Sequence, residues 1–211
     1  MRYFHRYGKS FDWLFPKRLW RIRRADNKSL FLTFDDGPVP VVTTLILDIL
    51  KEYQIQACFF CVGENIDKNR KIFERIIAEG HSIGNHTYHH LDERHHSERD
   101  YLKDIALCSK AIGDLGTSQA RVLFRPPYGR LSRSTEKAMR KKKVAMWSVL
   151  SGDFDKKLSK EDCLQKTIEA TIGRDIIVFH DNLKMVEKVL WVLPRYIEHC
   201  LNEGFKFERL E

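Results

Sequence analysis

From Ser29 onward the chain alternates short apolar runs with segments whose apolar residues recur at helical spacing. The runs predict strands near Leu30–Phe34, Ala57–Val62, Ser82–Gly84, Val122–Phe124, Val144–Val149, Ile176–Phe179 and Phe205–Phe207. Helices fit between them. Thr43–Tyr53 carries Leu45, Ile46, Ile49 and Leu50 on one face, and Ile66–Ala78 carries Ile72, Ile76 and Ile77. Further helical stretches run near Ser97–Leu115, Ser132–Lys142, Lys160–Ile172 and Val186–Asn202. Seven strand-and-helix units without repeats or linkers predict one parallel α/β domain, a barrel or a doubly wound sheet, and periodicity does not choose between them. Both architectures put chemistry at the carboxyl ends of the strands, so the polar residues after each apolar run are the candidates.

Five such clusters follow the first, third, fourth, fifth and sixth of these strands: Thr33-Phe34-Asp35-Asp36-Gly37-Pro38, Asn85-His86-Thr87-Tyr88-His89-His90, Arg125-Pro126-Pro127-Tyr128-Gly129, Ser151-Gly152-Asp153-Phe154 and His180-Asp181. Adjacent carboxylates at Asp35 and Asp36 repel unless a cation or a donor compensates, which hints at a metal. The competing reading is a turn, for which Asp-Asp-Gly-Pro is good chemistry. His86 and His90, four apart, would share a face if their segment were helical and could bind one ion together. Alone this is weak, because His81, His89, His95 and His96 crowd the same region, and many of those read as surface histidines.

Together the clusters resemble, in order and wording, the motifs of the polysaccharide deacetylase or NodB-homology family, carbohydrate esterase family four. T-F-D-D-G-P stands at 33–38, H-[ST]-x-x-H at 86–90 and R-P-P-Y-G at 125–129. The resemblance covers roughly residues 29–208 and implies a distorted (β/α)7-type barrel. It implies a metal bound by Asp36, His86 and His90, Asp35 as general base and Arg125 as its partner. It further implies Tyr128 as an oxyanion donor through its backbone N–H, His180 as general acid and Asp153 as the residue orienting it. Trp147 and Val178 match the apolar positions enclosing an acetyl methyl. The family stretch W-x-V-D-x-x-D-W reads here Trp147-Ser148-Val149-Leu150-Ser151-Gly152-Asp153-Phe154, so Leu150 and Phe154 depart from it around the substrate pocket.

The activity implied is hydrolysis of N-acetyl groups on amino-sugar polymers or conjugates, of the peptidoglycan or chitin type, by water activated at a divalent ion. Zinc is the first choice from ligand type, and Co, Ni or Mn could occupy the same site. A second reading keeps fold and ion but changes the substrate to a lipid-linked sugar, losing a formyl or acetyl group, or to a cyclic ureide or imide. A non-catalytic sugar-binding module would show erosion of these residues, and none is eroded. No G-x-S-x-G elbow points to an acyl-enzyme route.

Composition adds boundaries. With 211 residues and 43% hydrophobic content, one core is the default. Five dispersed cysteines do not read as a disulfide framework, and Cys58 and Cys61, three apart on a strand, would point to opposite faces. The net charge of +8 is asymmetric: residues 1–28 hold nine Lys/Arg and two Asp, leaving 28 basic and 27 acidic residues over 29–211. The chain therefore reads as a basic aromatic segment, 1–28, preceding a catalytic domain, 29–211. That segment could rest on an anionic membrane through residues 1–24, or its aromatics could pack on the domain, the plainer reading. Nucleic acid is not expected, since no basic stripe extends beyond the head. No stretch approaches the roughly 20 apolar residues of a bilayer span. No signal-like apolar core is visible at the start, so a cytoplasmic or inner-face location is expected.

Overall fold

The computed structural model describes residues 3–8, 10–113, 123–139 and 142–210. Its strands are β1 (Arg18–Leu19), β2 (Ser29–Asp35), β3 (Cys58–Cys61), β4 (Ser82–Asn85), β5 (Leu123–Phe124), β6 (Lys143–Ala145), β7 (Val149–Leu150), β8 (Ile176–His180) and β9 (Lys206–Phe207). Its helices are α1 (Ser10–Leu14), α2 (Val42–Glu52), α3 (Gly63–Lys68), α4 (Arg70–Ala78), α5 (Glu98–Gly113), α6 (Arg133–Ala138), α7 (Lys160–Ala170) and α8 (Val186–Asn202). The strands form one parallel sheet in the order β1-β6-β5-β4-β3-β2-β8-β7, with β9 beside the start of β2. It curls into the distorted barrel that the motif resemblance implies, a choice that the alternation of strands and helices left open.

Alternation along each strand sorts the core into two clusters. On β2, Leu30, Leu32 and Phe34 face the helices, where they meet Ile46, Leu50 and Leu193, while Phe31 turns to the barrel interior. Cys58 and Cys61 divide the same way, Cys58 with the inner cluster and Cys61 with the outer one. All five cysteines are free and buried. Serine side chains cap helices where the sequence offers them: Ser132 accepts from the Thr135 N–H at 3.2 Å, and Ser159 from the Asp162 N–H at 3.0 Å.

Three differences from the sequence expectation bear on the site. The helix read over 66–78 is broken between α3 and α4 at Asn69, whose amide donates to the carbonyls of Pro38 and Asn65, both at 3.1 Å. An asparagine that satisfies backbone carbonyls competes with the helix, and here the break also ties it to the loop after β2. The strand read over 144–149 is two strands: β6 pairs with β5, and β7 pairs with β8. Met146–Ser148 carries the chain between these neighbours, and an apolar run looks the same in sequence whether or not it changes partner. Val122, the end of the helix read to Leu115 and part of that read to Lys142 lie outside the described residues.

The third difference concerns the basic segment. Arg6 bridges Val149 in antiparallel fashion, and the Tyr7 N–H donates to the Ser148 carbonyl at 2.9 Å. Downstream, β1 adds beside β6. Trp20 is 4% exposed in the inner cluster, with Phe11, Phe15, Leu19 and Ile22 packed against it. Several charges find internal partners, Arg6 with Asp175 at 3.1 Å, Arg18 with Glu136 at 2.9 Å and Arg21 with Asp12 at 3.5 Å. The segment is thus part of the barrel wall. Among the described residues, no helix is long and apolar enough to cross a membrane.

Candidate metal and hydrolytic site

The carboxyl ends of the strands surround a pocket of about 330 Å³. Asp35, Asp36, His86, His90, Tyr128, Trp147, Val178 and His180 line it. Arg125 and Asp153 lie behind it, bonded to Asp35 and His180. All the residues singled out from sequence therefore come together.

Asp36 leaves the end of β2 with φ 91°, followed by Gly37. A side chain at Gly37 would put its Cβ 1.8 Å from the Asp181 carboxylate, so only glycine fits there. Asp181 accepts from the Gly37 N–H at 2.8 Å and from the Thr43 hydroxyl at 2.6 Å, which fixes the loop from below. Burial pushes the Asp181 carboxyl up to about 8, against those hydrogen bonds.

The segment 86–90 is not helical. Thr87 and His90 adopt left-handed conformations, φ 64° and 56°, and fold the loop so that the two imidazoles face each other with centroids 5.1 Å apart. The four-residue spacing therefore works through a loop and not through a helix face. Buried Asp104 accepts from the backbone N–H groups of Tyr88 and His89 at 2.8 and 3.0 Å and meets the His89 ring at 2.6 Å. These bonds from α5 hold the loop in shape.

Asp36, His86 and His90 each offer a donor atom, all within 4.8 Å of one another. Asp36 Oδ1 lies 3.7 Å from His86 Nε2 and 3.2 Å from His90 Nε2. Bonds of about 2.1 Å in tetrahedral or octahedral geometry need neighbouring donors roughly 3.0–3.4 Å apart, so the spacing of Asp36 from each imidazole suits a shared divalent ion. The protonation pattern argues the same way. His86 Nδ1–H donates to the Arg125 carbonyl at 2.8 Å, and burial lowers the ring to about 4, so it is neutral with its lone pair on Nε2. A lone pair facing a carboxylate oxygen is repulsive unless a cation lies between them. For Asp36, burial opposes ionisation, but the His90 hydrogen bond and the nearby charge of His180 hold its carboxyl well below the usual range. Asn182 Nδ2 donates to its second oxygen at 3.2 Å.

Two acid–base pairs flank this donor set. Asp35 Oδ1 meets the fully buried Arg125 at 2.6 Å. Arg125 also donates to the Thr33 hydroxyl at 2.8 Å and to the carbonyls of Ala145 and Met146 at 3.1 and 2.9 Å, with Phe60 stacked 3.9 Å away. A buried charge pair is tolerated when its remaining donors are satisfied in this way. On the neighbouring strand, in register with Asp35, His180 donates from Nδ1 to Asp153 at 2.8 Å. Burial alone would lower the His180 pKa, but the Asp153 charge and hydrogen bond, with Asp36 and Asp35 adding, raise it to about 10. His180 is thus charged at neutral pH.

Pocket-lining residues that sequence reasoning missed are Tyr3, Tyr7, Pro126 and Met185. The tyrosines reach the pocket because the backbone of His5, Arg6 and Tyr7 is tied to residues 148–150, and nothing local to them announces that. Tyr3 stands 5.0 Å from the Phe154 ring and donates to Asp155 at 3.2 Å, and Phe154 in turn edges onto His180 at 5.4 Å. Tyr128, φ 59°, sets its ring against His90 at 4.9 Å. Asp104, Asp181 and Asn182 also went unassigned. Only Asp181, beside His180 at a strand end, carried a positional signal.

Comparison with known proteins agrees with this geometry. Residues 23–147 match the family described as "Polysaccharide deacetylase". One peptidoglycan-N-acetylglucosamine deacetylase of Bacillus cereus is 28% identical over 185 residues, 86% of each chain. A second from the same organism is 34% identical over 173 residues, 81% of this chain and 62% of that protein. A crystal structure of a peptidoglycan N-acetylglucosamine deacetylase, in complex with a naphthalenyl N-oxidanyl-benzamide, superposes with a TM-score of 0.87 at 28% identity, covering 95% of this chain and 94% of the other.

Proposed function

The chain belongs to the polysaccharide deacetylase family, and from that membership we propose that it removes N-acetyl groups from amino-sugar units of a peptidoglycan-type glycan, using a divalent metal ion, zinc by ligand type. The observation that carries this reading is one pocket bringing together a three-donor ion site and two separately supported acid–base pairs. The similarity to peptidoglycan-N-acetylglucosamine deacetylases supports the choice of glycan. When bound at Asp36, His86 and His90, the ion supplies Lewis acidity, acidifying water and polarising a carbonyl.

The remaining steps belong to the chain's own groups. Asp35, its charge balanced by Arg125, accepts the proton released as water attacks the acetyl carbon. The Tyr128 N–H donates to the oxyanion, where a hydrogen bond aimed at developing charge counts most. Trp147 and Val178, on the pocket wall, enclose the methyl. His180, charged and held by Asp153, gives a proton to the nitrogen as the C–N bond breaks, releasing acetate and an amine.

The test is acetate release by the zinc-loaded full chain from peptidoglycan fragments, chitin oligomers and lipid-linked amino sugars. Asp35→Asn should keep the metal and lose roughly 100-fold or more in kcat, the usual contribution of a general base. Asp36→Ala should lose both metal and turnover. Near-native rates in Asp35→Asn would overturn the base assignment, and acetate from none of the three substrates would overturn the activity.

A further inference from the structure

A second surface stands apart from the pocket. The strands run parallel, and the pocket lies where they end, so the opposite end of the barrel is where β1 and β6 begin. There a cleft of about 740 Å³ opens between the α1–β1 connection and α6, lined on both sides by cations: Lys17 from the first, Arg133, Lys137, Lys142 and Lys143 from the second. The one carboxylate in its lining, Glu136, is already bound to the buried Arg18 at 2.9 Å. The surface is therefore left strongly positive. In sequence the basic run continues through Arg140 and Lys141.

Beside these cations the chain leaves two large apolar side chains in water. Trp13 is 82% exposed and Leu14 52% exposed, although Phe11, Phe15 and Trp20 around them pack inward. A five-residue helix that half-buries Phe11 and presents an indole and a leucine to solvent gains nothing from that exposure in the folded chain alone. Indole and leucine next to lysines is the composition that partitions into a lipid interface, where the apolar groups enter the headgroup boundary and the cations meet phosphates. A soluble polyanion would use the lysines and leave Trp13 and Leu14 without a role.

We propose that this face, Trp13 and Leu14 with Lys17, Arg133, Lys137 and Lys143, docks the protein on a bilayer containing acidic lipids. The contact is confined to one end of the barrel, because Arg6, Tyr7, β1 and Trp20 are built into the wall. Docked in this way, the pocket faces away from the lipid and toward a glycan lying beyond it. The proposal does not depend on the chemistry assigned to the pocket.

The experiment is cosedimentation of the full chain with vesicles of phosphatidylcholine alone and of phosphatidylcholine with phosphatidylglycerol, at low and high salt. The wild type should bind the acidic vesicles only, less at high salt. The double variants Trp13→Ser/Leu14→Ser and Lys137→Glu/Lys143→Glu should each weaken binding by about tenfold or more, with unchanged far-UV spectra. Brominated lipid should quench fluorescence in the wild type, and Trp13→Phe should remove that quenching. Equal binding to neutral vesicles, or full binding by the Trp13/Leu14 variant, would overturn the proposal. So would polyphosphate binding that is lost only in the lysine variant while vesicles leave Trp13 unquenched, since a soluble polyanion would then be the partner.

Discussion

The nine histidines look alike in sequence, but their neighbours divide them into different chemical species. His81 belongs to a group of which many read as surface histidines, yet it is buried, and its Nδ1 accepts the Ala57 N–H at 3.1 Å. Burial lowers its pKa to about 4. Between that value and the unfolded value of about 6.5, the unfolded chain binds a proton that the native state refuses, so stability falls as pH drops through this window. His180 has the opposite sign: its raised pKa contributes stability below about 6.5 that is lost as pH climbs through about 10. His81→Gln, which keeps an acceptor for Ala57, should make the loss of stability from pH 6.5 to 4 shallower by up to about 1.4 kcal/mol per pH unit. Urea unfolding at a series of pH values reads this directly, and an unchanged slope would show that His81 does not titrate across folding.

At the scale of elements, the basic segment has two jobs that can be separated by mutation. Trp20 fills the inner core, so Trp20→Ala should cost about 3–5 kcal/mol of stability, as other large buried aromatics do. Tyr3 is partly exposed at the pocket rim against Phe154, so Tyr3→Ala should leave the thermal midpoint nearly unchanged and raise KM for a soluble oligosaccharide several-fold, with a smaller effect on kcat. A KM unaffected by Tyr3→Ala would remove this residue from the substrate wall. The same segment marks where sequence reading stops. β2, β3 and β8 were legible because each is a buried apolar run, and the ends of β2 and β8 delivered Asp35, Asp36 and His180. The two-residue β1 and the split of β6 from β7 were not legible, because such short pairings are decided by distant partners and leave no periodicity. The same holds for Asp104, which supports the His86–His90 loop from α5, and for the left-handed turns that bring His86 and His90 together without a helix.

For the whole molecule, the ion site is a tie between parts of the sheet that do not touch. Asp36 follows β2 while His86 and His90 follow β4, and β3 lies between those strands. Asp36 is further linked to the turn after β8 by Asn182, and to α3 by the Asn65 amide, which donates to its carbonyl at 2.7 Å. The donors converge only in the folded barrel, so an ion that binds there binds the native state and stabilises it by mass action. At a free concentration about 1,000 times Kd the gain is about 4 kcal/mol, and for a chain of this size each kcal/mol moves the midpoint by roughly 2–4 °C. Zinc should therefore raise the melting midpoint of chelated protein by roughly 10 °C, with Asp36→Ala showing no such rise. Protons compete with the ion for its donors, so the shift should shrink as pH falls. A midpoint indifferent to both zinc and chelator at neutral pH would mean that the three donors do not hold an ion, whatever their spacing, and the hydrolytic chemistry would have to be sought elsewhere.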